Sequence, residues 1–180
     1  MSEPEFVFGH QRPELQKELS EFWTLHQPLY RQDLQRFRSS LGQPSMQAIE
    51  QSIQPPLRRQ VAAISRDGSG RMTGLAWVVL RELQADLGLG SHAYFLRMYV
   101  AAQARNASTH RLFEVFLDGF QASASSRDPR AGVLLAENVN PGLHTVAGRR
   151  YFARRGFRLL GGNQFGSEVW LMRLKTRFVF

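Results

Sequence analysis

The chain has 180 residues, of which 43% are hydrophobic and 21% charged, and it contains no cysteine. This length suits one domain, and the composition excludes wholesale disorder. No apolar run approaches the roughly 18 residues that span a bilayer. The missing cysteine excludes disulfides, thiolate metal sites and cysteine nucleophiles. We therefore expect a single domain over residues 1–180, with no membrane partner. We expect it in the cytoplasm, because the acidic N-terminus lacks a signal-peptide pattern.

The positive charge is carried almost entirely by arginine. The formal net charge is +8, and only two of the 23 basic residues, Lys17 and Lys175, are lysines. Arginine binds phosphates and carboxylates through paired hydrogen bonds. The excess of arginine over lysine therefore suggests nucleic acid, RNA in particular, as a partner. The alternative is that the arginines are spread over solvated surfaces.

The N-terminal third is predicted to be mainly helical. A short apolar strand is expected over residues 5–10. Pro13 suits the first turn of a helix, where an N–H would lack a partner, and apolar residues then recur at three- and four-residue spacings. Pro28 is expected to kink or split this helix before a second piece over 34–41. A further short helix is expected around 46–53.

Strands dominate the rest of the chain. Asp67–Gly70 is a turn signal between two strands, the second over 72–83. The pattern then predicts, in chain order, a strand over 92–102, a helix from Ser108, a strand over 133–136, a helix over 143–152 and strands over 157–160 and 169–174. Helices between strands imply parallel crossovers, and hairpins imply antiparallel pairs. We therefore predict an α+β, three-layer fold with a mixed, mostly antiparallel central sheet and helices on both faces.

The junction after the strand over 92–102 has features of an anion site. It follows Val100 and contains Arg105, Asn106, Ala107, Ser108, Thr109 and His110. Small residues let a ligand approach the backbone, and the free N–H groups and dipole of a helix start favour anions. An ordinary capped helix start is the alternative.

With this junction, and with residues 133–157, the chain resembles the GCN5-related N-acetyltransferase (GNAT) superfamily. That family binds the pyrophosphate of acetyl-coenzyme A through a loop of arginine or glutamine, two residues, glycine, one residue, then glycine or alanine. A strand usually ends in valine five residues earlier. Val100 and Arg105 have that spacing, whereas Ser108 and His110 stand where the small residues usually stand. The resemblance covers nearly the whole chain in element order and implies a GNAT-like acyl-CoA N-acyltransferase fold.

The resemblance implies an enzyme that transfers an acetyl or other acyl group from acetyl-coenzyme A, as cosubstrate, to a primary amine without a metal. The implied cofactor contacts are Met98, Tyr99 and Val100 beside the pantetheine arm, Arg105 to His110 at the pyrophosphate, and Asn140 before the last helix. The acceptor is not specified: a small amine, a protein amine and an aminoacyl-tRNA all remain open, as does a homodimer.

Four residues are candidate acids or bases, because an amine must lose a proton and a thiolate gains one. Glu137 ends a strand, and in family register an early-strand glutamate falls at Tyr94, with His92 two residues before it on the same face. The family's acidic tyrosine position holds Phe152, and Tyr151 is one residue earlier. One helical residue is a rotation of about 100°, so both rings cannot face the thiol. We predict that Tyr151 faces it; the alternative is Phe152, with water supplying the proton.

A basic stripe is predicted on the last helix, formed by Arg149, Arg150, Arg154, Arg155 and Arg158. It suits a coenzyme phosphate, an acidic acceptor or RNA, and a solvated helix face is the alternative. We expect these arginines to contribute little to stability. If the departures from the family motif abolish catalysis, the chain is a noncatalytic GNAT-like module that binds nucleic acid or an acidic partner. No metal-ligand spacing such as HExxH occurs.

Overall fold

The computed structural model describes residues 3–10, 12–41, 57–105, 107–163 and 166–175. The strands are β1 (Glu5–Phe6), β2 (Arg58–Arg66), β3 (Met72–Glu82), β4 (His92–Val100), β5 (Ala131–Asn138), β6 (Arg158–Gly162) and β7 (Glu168–Arg173). The α-helices in these ranges are α1 (Pro13–Ser40), α2 (Ala107–Ala122) and α3 (Val146–Arg154). None of them is both long and apolar enough to cross a bilayer.

The strands form one seven-stranded sheet in the order β1-β2-β3-β4-β5-β7-β6. Neighbouring strands are antiparallel except β4 and β5, which are parallel. The parallel pair arises because α2 returns the chain from the end of β4 to the start of β5. The predicted α+β class with a mixed, mostly antiparallel sheet is confirmed.

Helices cover both faces of the sheet, as predicted. On one face, α2 and α3 pack against the sheet and form a hydrophobic core with it. In this core Phe116 is fully buried, and Phe152 stacks on Trp170 with ring centroids 5.0 Å apart. On the other face, α1 places Phe22 against Tyr99 of β4, with centroids 6.2 Å apart. Successive strand residues point to opposite faces, so β4 contributes to both cores.

Two predictions at the N-terminus need correction. The first helix is not split at Pro28: α1 is one helix of 28 residues with the proline inside it. Buried side chains on either side of it, Phe22 and His26 before and Arg38 after, hold both halves on the sheet, so packing outweighs the lost hydrogen bond. The first strand is shorter than 5–10, because the chain turns at Gly9, whose φ is +81°.

Other boundaries move by a few residues. Pro141–Leu143 is a 3-10 turn, and the last helix begins after it. The Thr145 side chain caps that helix by accepting the Gly148 N–H at 3.1 Å. The helix expected around 46–53 lies outside the described residues.

Candidate functional site

The parallel strands β4 and β5 separate before either of them ends. Their described pairing runs from His92 and Ala131 to Leu96 and Ala136, whereas β4 continues to Val100. A wedge-shaped gap therefore opens between the C-terminal ends of the two strands. Strand ends of this kind expose backbone groups that an extended ligand can pair with.

Backbone alternation decides which groups face the gap. The Ala101 N–H donates to the Thr73 carbonyl at 2.8 Å, towards β3. Because successive residues direct their backbone groups to opposite edges, those of Met98 and Val100 point towards the gap. The backbone groups of Tyr99 point towards β3, so this predicted cofactor contact does not fit the geometry.

A cavity of about 710 Å³ follows the gap. Its walls come from α1, β4, α2, β5 and α3. The predicted site residues that it brings together are Met98, Arg105, Thr109, His110, Glu137, Asn140 and Tyr151. The cavity reaches both faces of the sheet, since Arg97 and Glu137 lie on the α1 side and Met98 on the α2 side.

The start of α2 forms one end of the cavity. The helix begins at Ala107, and Ser108 and Thr109 are partly buried in its first turn. The first N–H groups of a helix have no partner within it, so they remain available to a ligand. Asn106 lies outside the described residues.

Arg105 ties the junction to the rest of the fold. Its Nε donates to the Val100 carbonyl at 3.0 Å, and its Nη2 forms an ion pair with Asp33 of α1. Its guanidinium also lies over the Tyr99 ring, 5.7 Å from the centroid. These contacts give the arginine a structural role beside the cavity.

Tyr151 brings a buried hydroxyl to the cavity. Within the described residues the hydroxyl has no hydrogen-bond partner, and its burial raises the pKa of the phenol. The ring contacts His110 and Phe113, with centroid distances of 5.1 and 6.0 Å. Phe152 also lines the cavity, but its ring stacks on Trp170, whereas Tyr151 brings its hydroxyl to the cavity.

Glu137 enters the cavity from the end of β5 and is held by three donors. Its carboxylate accepts from Arg38 at 3.4 Å, from Arg97 at 3.3 Å and from Asn163 at 3.0 Å. A base whose oxygens already accept these bonds would have to give one up to take a proton. In the described ranges no three His, Asp or Glu side chains cluster as a metal site would require.

Two candidate catalytic residues lie elsewhere. His92 begins β4, and its Nδ1 lies 2.8 Å from the Ser91 hydroxyl; about 20 Å of strand separates it from Met98. Tyr94 is buried in the core of α2, and its hydroxyl accepts the Asp128 N–H at 2.8 Å. Both residues lie on β4, as the sequence predicted, but at the end of the strand that is farther from the gap.

Sequence reasoning missed Arg38 and Arg97. Both line the cavity, and Arg38 is only 4% exposed. A signal was present for Arg97, because it interrupts an apolar strand between Leu96 and Met98. A charged residue in an apolar strand usually has a partner of opposite charge, so an acidic partner could have been expected for Arg97. Arg38 lies in a polar stretch of α1, where the sequence offers no such signal.

The basic stripe on the last helix is partly neutralised. Arg149 Nε forms an ion pair with Glu168 at 2.7 Å, and Arg155 pairs with Glu114. Glu168 is only 6% exposed, and its second oxygen accepts the Trp170 indole N–H at 3.2 Å. We expected all five arginines to be solvated and to contribute little to stability. For Arg149 this expectation is corrected, because it is the charged partner of a buried carboxylate.

Replacing Arg149 with alanine is expected to lower the free energy of unfolding by about 1–3 kcal/mol, because the Glu168 carboxylate would stay buried without its charged partner. Arg154→Ala is the matched control: this arginine is exposed on the same helix and should change stability by less than about 0.5 kcal/mol. Urea denaturation measures both. Equal effects of the two substitutions would contradict a structural role for the Arg149–Glu168 pair.

No family model and no curated protein sequence matches the chain. Among solved structures, the chain is similar to a bacterial toxin, with 16% identity over 71% of this chain and 72% of that one and a TM-score of 0.45. It is also similar to an aminoglycoside N(6′)-acetyltransferase from Legionella pneumophila, with 10% identity over 63% of each chain and a TM-score of 0.37. For the KacTA–DNA complex the identity is 15% over 69% and 72%, with a TM-score of 0.39. All three TM-scores are below 0.5, so the interpretation of the site depends on its geometry.

Proposed function

We propose that the chain is an N-acyltransferase that uses acetyl-coenzyme A and a primary amine as substrates. One observation carries this proposal: the edge of β4 that β5 leaves unpaired, with the backbone groups of Met98 and the Val100 N–H, borders the cavity that holds the Tyr151 hydroxyl, which has no described partner. A strand edge that binds an extended ligand and a proton donor near its end are what acyl transfer from a thioester requires.

The residues present suit the coenzyme. Its pantetheine arm carries two amides, which can pair with the Met98 backbone groups and the Val100 N–H as an added strand would, since Arg105 already occupies the Val100 carbonyl. The cavity of about 710 Å³ lies within the usual size range of ligand sites. The pyrophosphate has a place at the first turn of α2, around Ser108 and Thr109, where unpaired N–H groups and the helix dipole favour an anion.

The coenzyme supplies the activated acyl group, so the protein needs no nucleophile of its own. Tyr151 is the proposed proton donor to the leaving sulfur, because its phenol is protonated and its hydroxyl has no other described partner. Glu137 is proposed as a positioning residue that holds Arg38 and Arg97 in the cavity wall. His92 and Tyr94 have no part in this proposal.

Calorimetry and thermal melting with acetyl-coenzyme A test the proposal against the noncatalytic alternative. A specific ligand raises the melting temperature by mass action, so we expect a rise that saturates with coenzyme concentration. RNA should have no comparable effect at physiological salt. Absence of a coenzyme effect, together with strongly salt-dependent RNA binding, would favour the noncatalytic module instead.

The site of the pyrophosphate is tested at Ser108. Ser108→Asp is expected to weaken acetyl-coenzyme A binding by about 10-fold or more, since a carboxylate would occupy the positive end of α2 and repel the phosphates. Ser108→Gly restores the small residue of the family motif and should bind at least as well as the unmodified chain. Calorimetric titration compares the three proteins, and equal affinities would place the pyrophosphate elsewhere.

A further inference from the structure

The part of the cavity next to α1 is strongly basic. Arg97 of β4 lines it and is held by Glu137 at 3.3 Å, and Arg38 of α1 contacts the same carboxylate at 3.4 Å. The Tyr30 ring of α1 completes this wall. One carboxylate thus positions two guanidinium groups, which leaves an excess of positive charge among the described groups that meet there.

A groove of about 380 Å³ adjoins this wall. It is lined by Trp23, Trp77 and Arg59, among others. The Trp77 ring lies 5.5 Å from the Tyr30 ring, so the groove and the cavity share an aromatic wall. Within the described residues, no carboxylate forms an ion pair with Arg59.

The sheet register shows that Arg59 and Arg97 belong to one surface. Arg59 pairs with Val79, which pairs with Phe95, two residues before Arg97. The two arginines are therefore two strands and two residues apart, a Cα separation of roughly 12 Å, with both side chains on the α1 face. Two arginine side chains can converge on one anion across that distance.

Electrostatic coupling supports the same grouping. Burial is the larger cause of the lowered pKa of Arg81, and the positive charges of Arg97 and Arg59 lower it further. Burial also raises the pKa of Tyr30, against the opposing influence of Arg97 among others. Tyr30 therefore keeps its proton and can donate a hydrogen bond beside these arginines.

We infer that this surface binds an anionic group of the acceptor amine, a phosphate or a carboxylate, with Arg59 and Arg97 as its ligands and Glu137 as the residue that positions Arg97. The inference rests on the proposed function where it names the acceptor, although the anion site can be tested without acyl transfer. Arginine pairs oxyanions through two parallel hydrogen bonds, and such bonds are stronger than neutral ones. The same charge excess disfavours polycationic amines.

The test uses four amines: O-phosphoethanolamine, β-alanine, ethanolamine and spermidine. Binding to the full chain is measured by ligand-observed NMR and calorimetry at low ionic strength, where ion pairs are least screened. We expect O-phosphoethanolamine or β-alanine to bind at least about 10-fold more tightly than ethanolamine and spermidine. Which of the two binds better decides between a phosphate and a carboxylate.

Arg59→Gln and Arg97→Gln should each abolish this preference. Arg173→Gln removes the same charge from an exposed position on β7 and should retain it. Arg59 is exposed, so its variant keeps the test valid if Arg97→Gln is poorly folded. Equal binding of all four amines, no binding of either anionic amine, or equal losses in the Arg59 and Arg173 variants would overturn the inference.

Acetyl transfer to the same amines is measured separately. Anion preference with acetyl-coenzyme A binding but no transfer to any amine would leave the anion site standing and count against the proposed function. Transfer to ethanolamine as efficient as transfer to the anionic amines would support the proposed function and overturn the anion site.

Discussion

Tyr151→Phe is expected to lower kcat by about 10²–10⁴-fold with little change in the affinity for acetyl-coenzyme A, because a positioned acid contributes a rate factor of that size. The substitution removes only the buried hydroxyl and keeps the ring contacts to His110 and Phe113. Steady-state kinetics with the acceptor that gives turnover, under conditions where chemistry limits the rate, provides the measurement.

Tyr99→Phe is the matched control for the loss of a hydroxyl. Its hydroxyl lies 3.4 Å from His26 Nδ1 on the α1 face, away from Tyr151. This variant should keep kcat within about threefold, well below the effect expected of a catalytic acid. Undiminished turnover of Tyr151→Phe, or equal losses in both variants, would remove Tyr151 from the mechanism.

Two further measurements separate an acid from a packing residue. The Tyr151 hydroxyl is buried without a described partner, so its removal should not lower the free energy of unfolding. Because burial raises the pKa of Tyr151, the phenol holds its proton to higher pH than an exposed tyrosine, and kcat should decline only above the ordinary tyrosine range. A kcat decline at neutral pH would point to a different acid.

Phe152→Ala is expected to lower the free energy of unfolding by about 2–4 kcal/mol, because truncating a partly buried phenylalanine that packs against the core loses burial and ring contacts. The Phe152 ring stacks on Trp170 at 5.0 Å and meets Phe113 and Phe157 edge-on at 5.8 and 5.7 Å. Urea denaturation followed by tryptophan fluorescence measures the loss.

Phe152→Leu provides the control, since it keeps much of the volume and should lose roughly half as much stability or less. If Phe152→Ala leaves stability unchanged while coenzyme affinity falls, the phenylalanine faces the coenzyme, and the alternative with water as the proton source regains support. We expect Phe152 to contribute to packing and Tyr151 to donate the proton.

Local patterns predicted most of the fold. The turn over Asp67–Gly70 and the apolar runs on either side of it define the β2–β3 hairpin, because turn residues and strand periodicity act over a few residues. The parallel relation of β4 and β5 followed from the helix between them. Pro28 was misleading, since the cost of one lost hydrogen bond is local and the packing that outweighs it is not.

The sequence by itself determined the fold class and the strand–helix junction from Val100 to Ser108, and the helix period showed that Tyr151 and Phe152 face different ways. Only the tertiary structure decided that the Tyr151 hydroxyl is buried at the cavity without a described partner, while the Phe152 ring stacks on Trp170. It also brought Arg97 to Glu137, 40 residues later in the chain, and Arg38 to Glu137, 99 residues later. Such contacts depend on how the sheet and α1 pack, and spacing along the chain carries no information about distances set by packing.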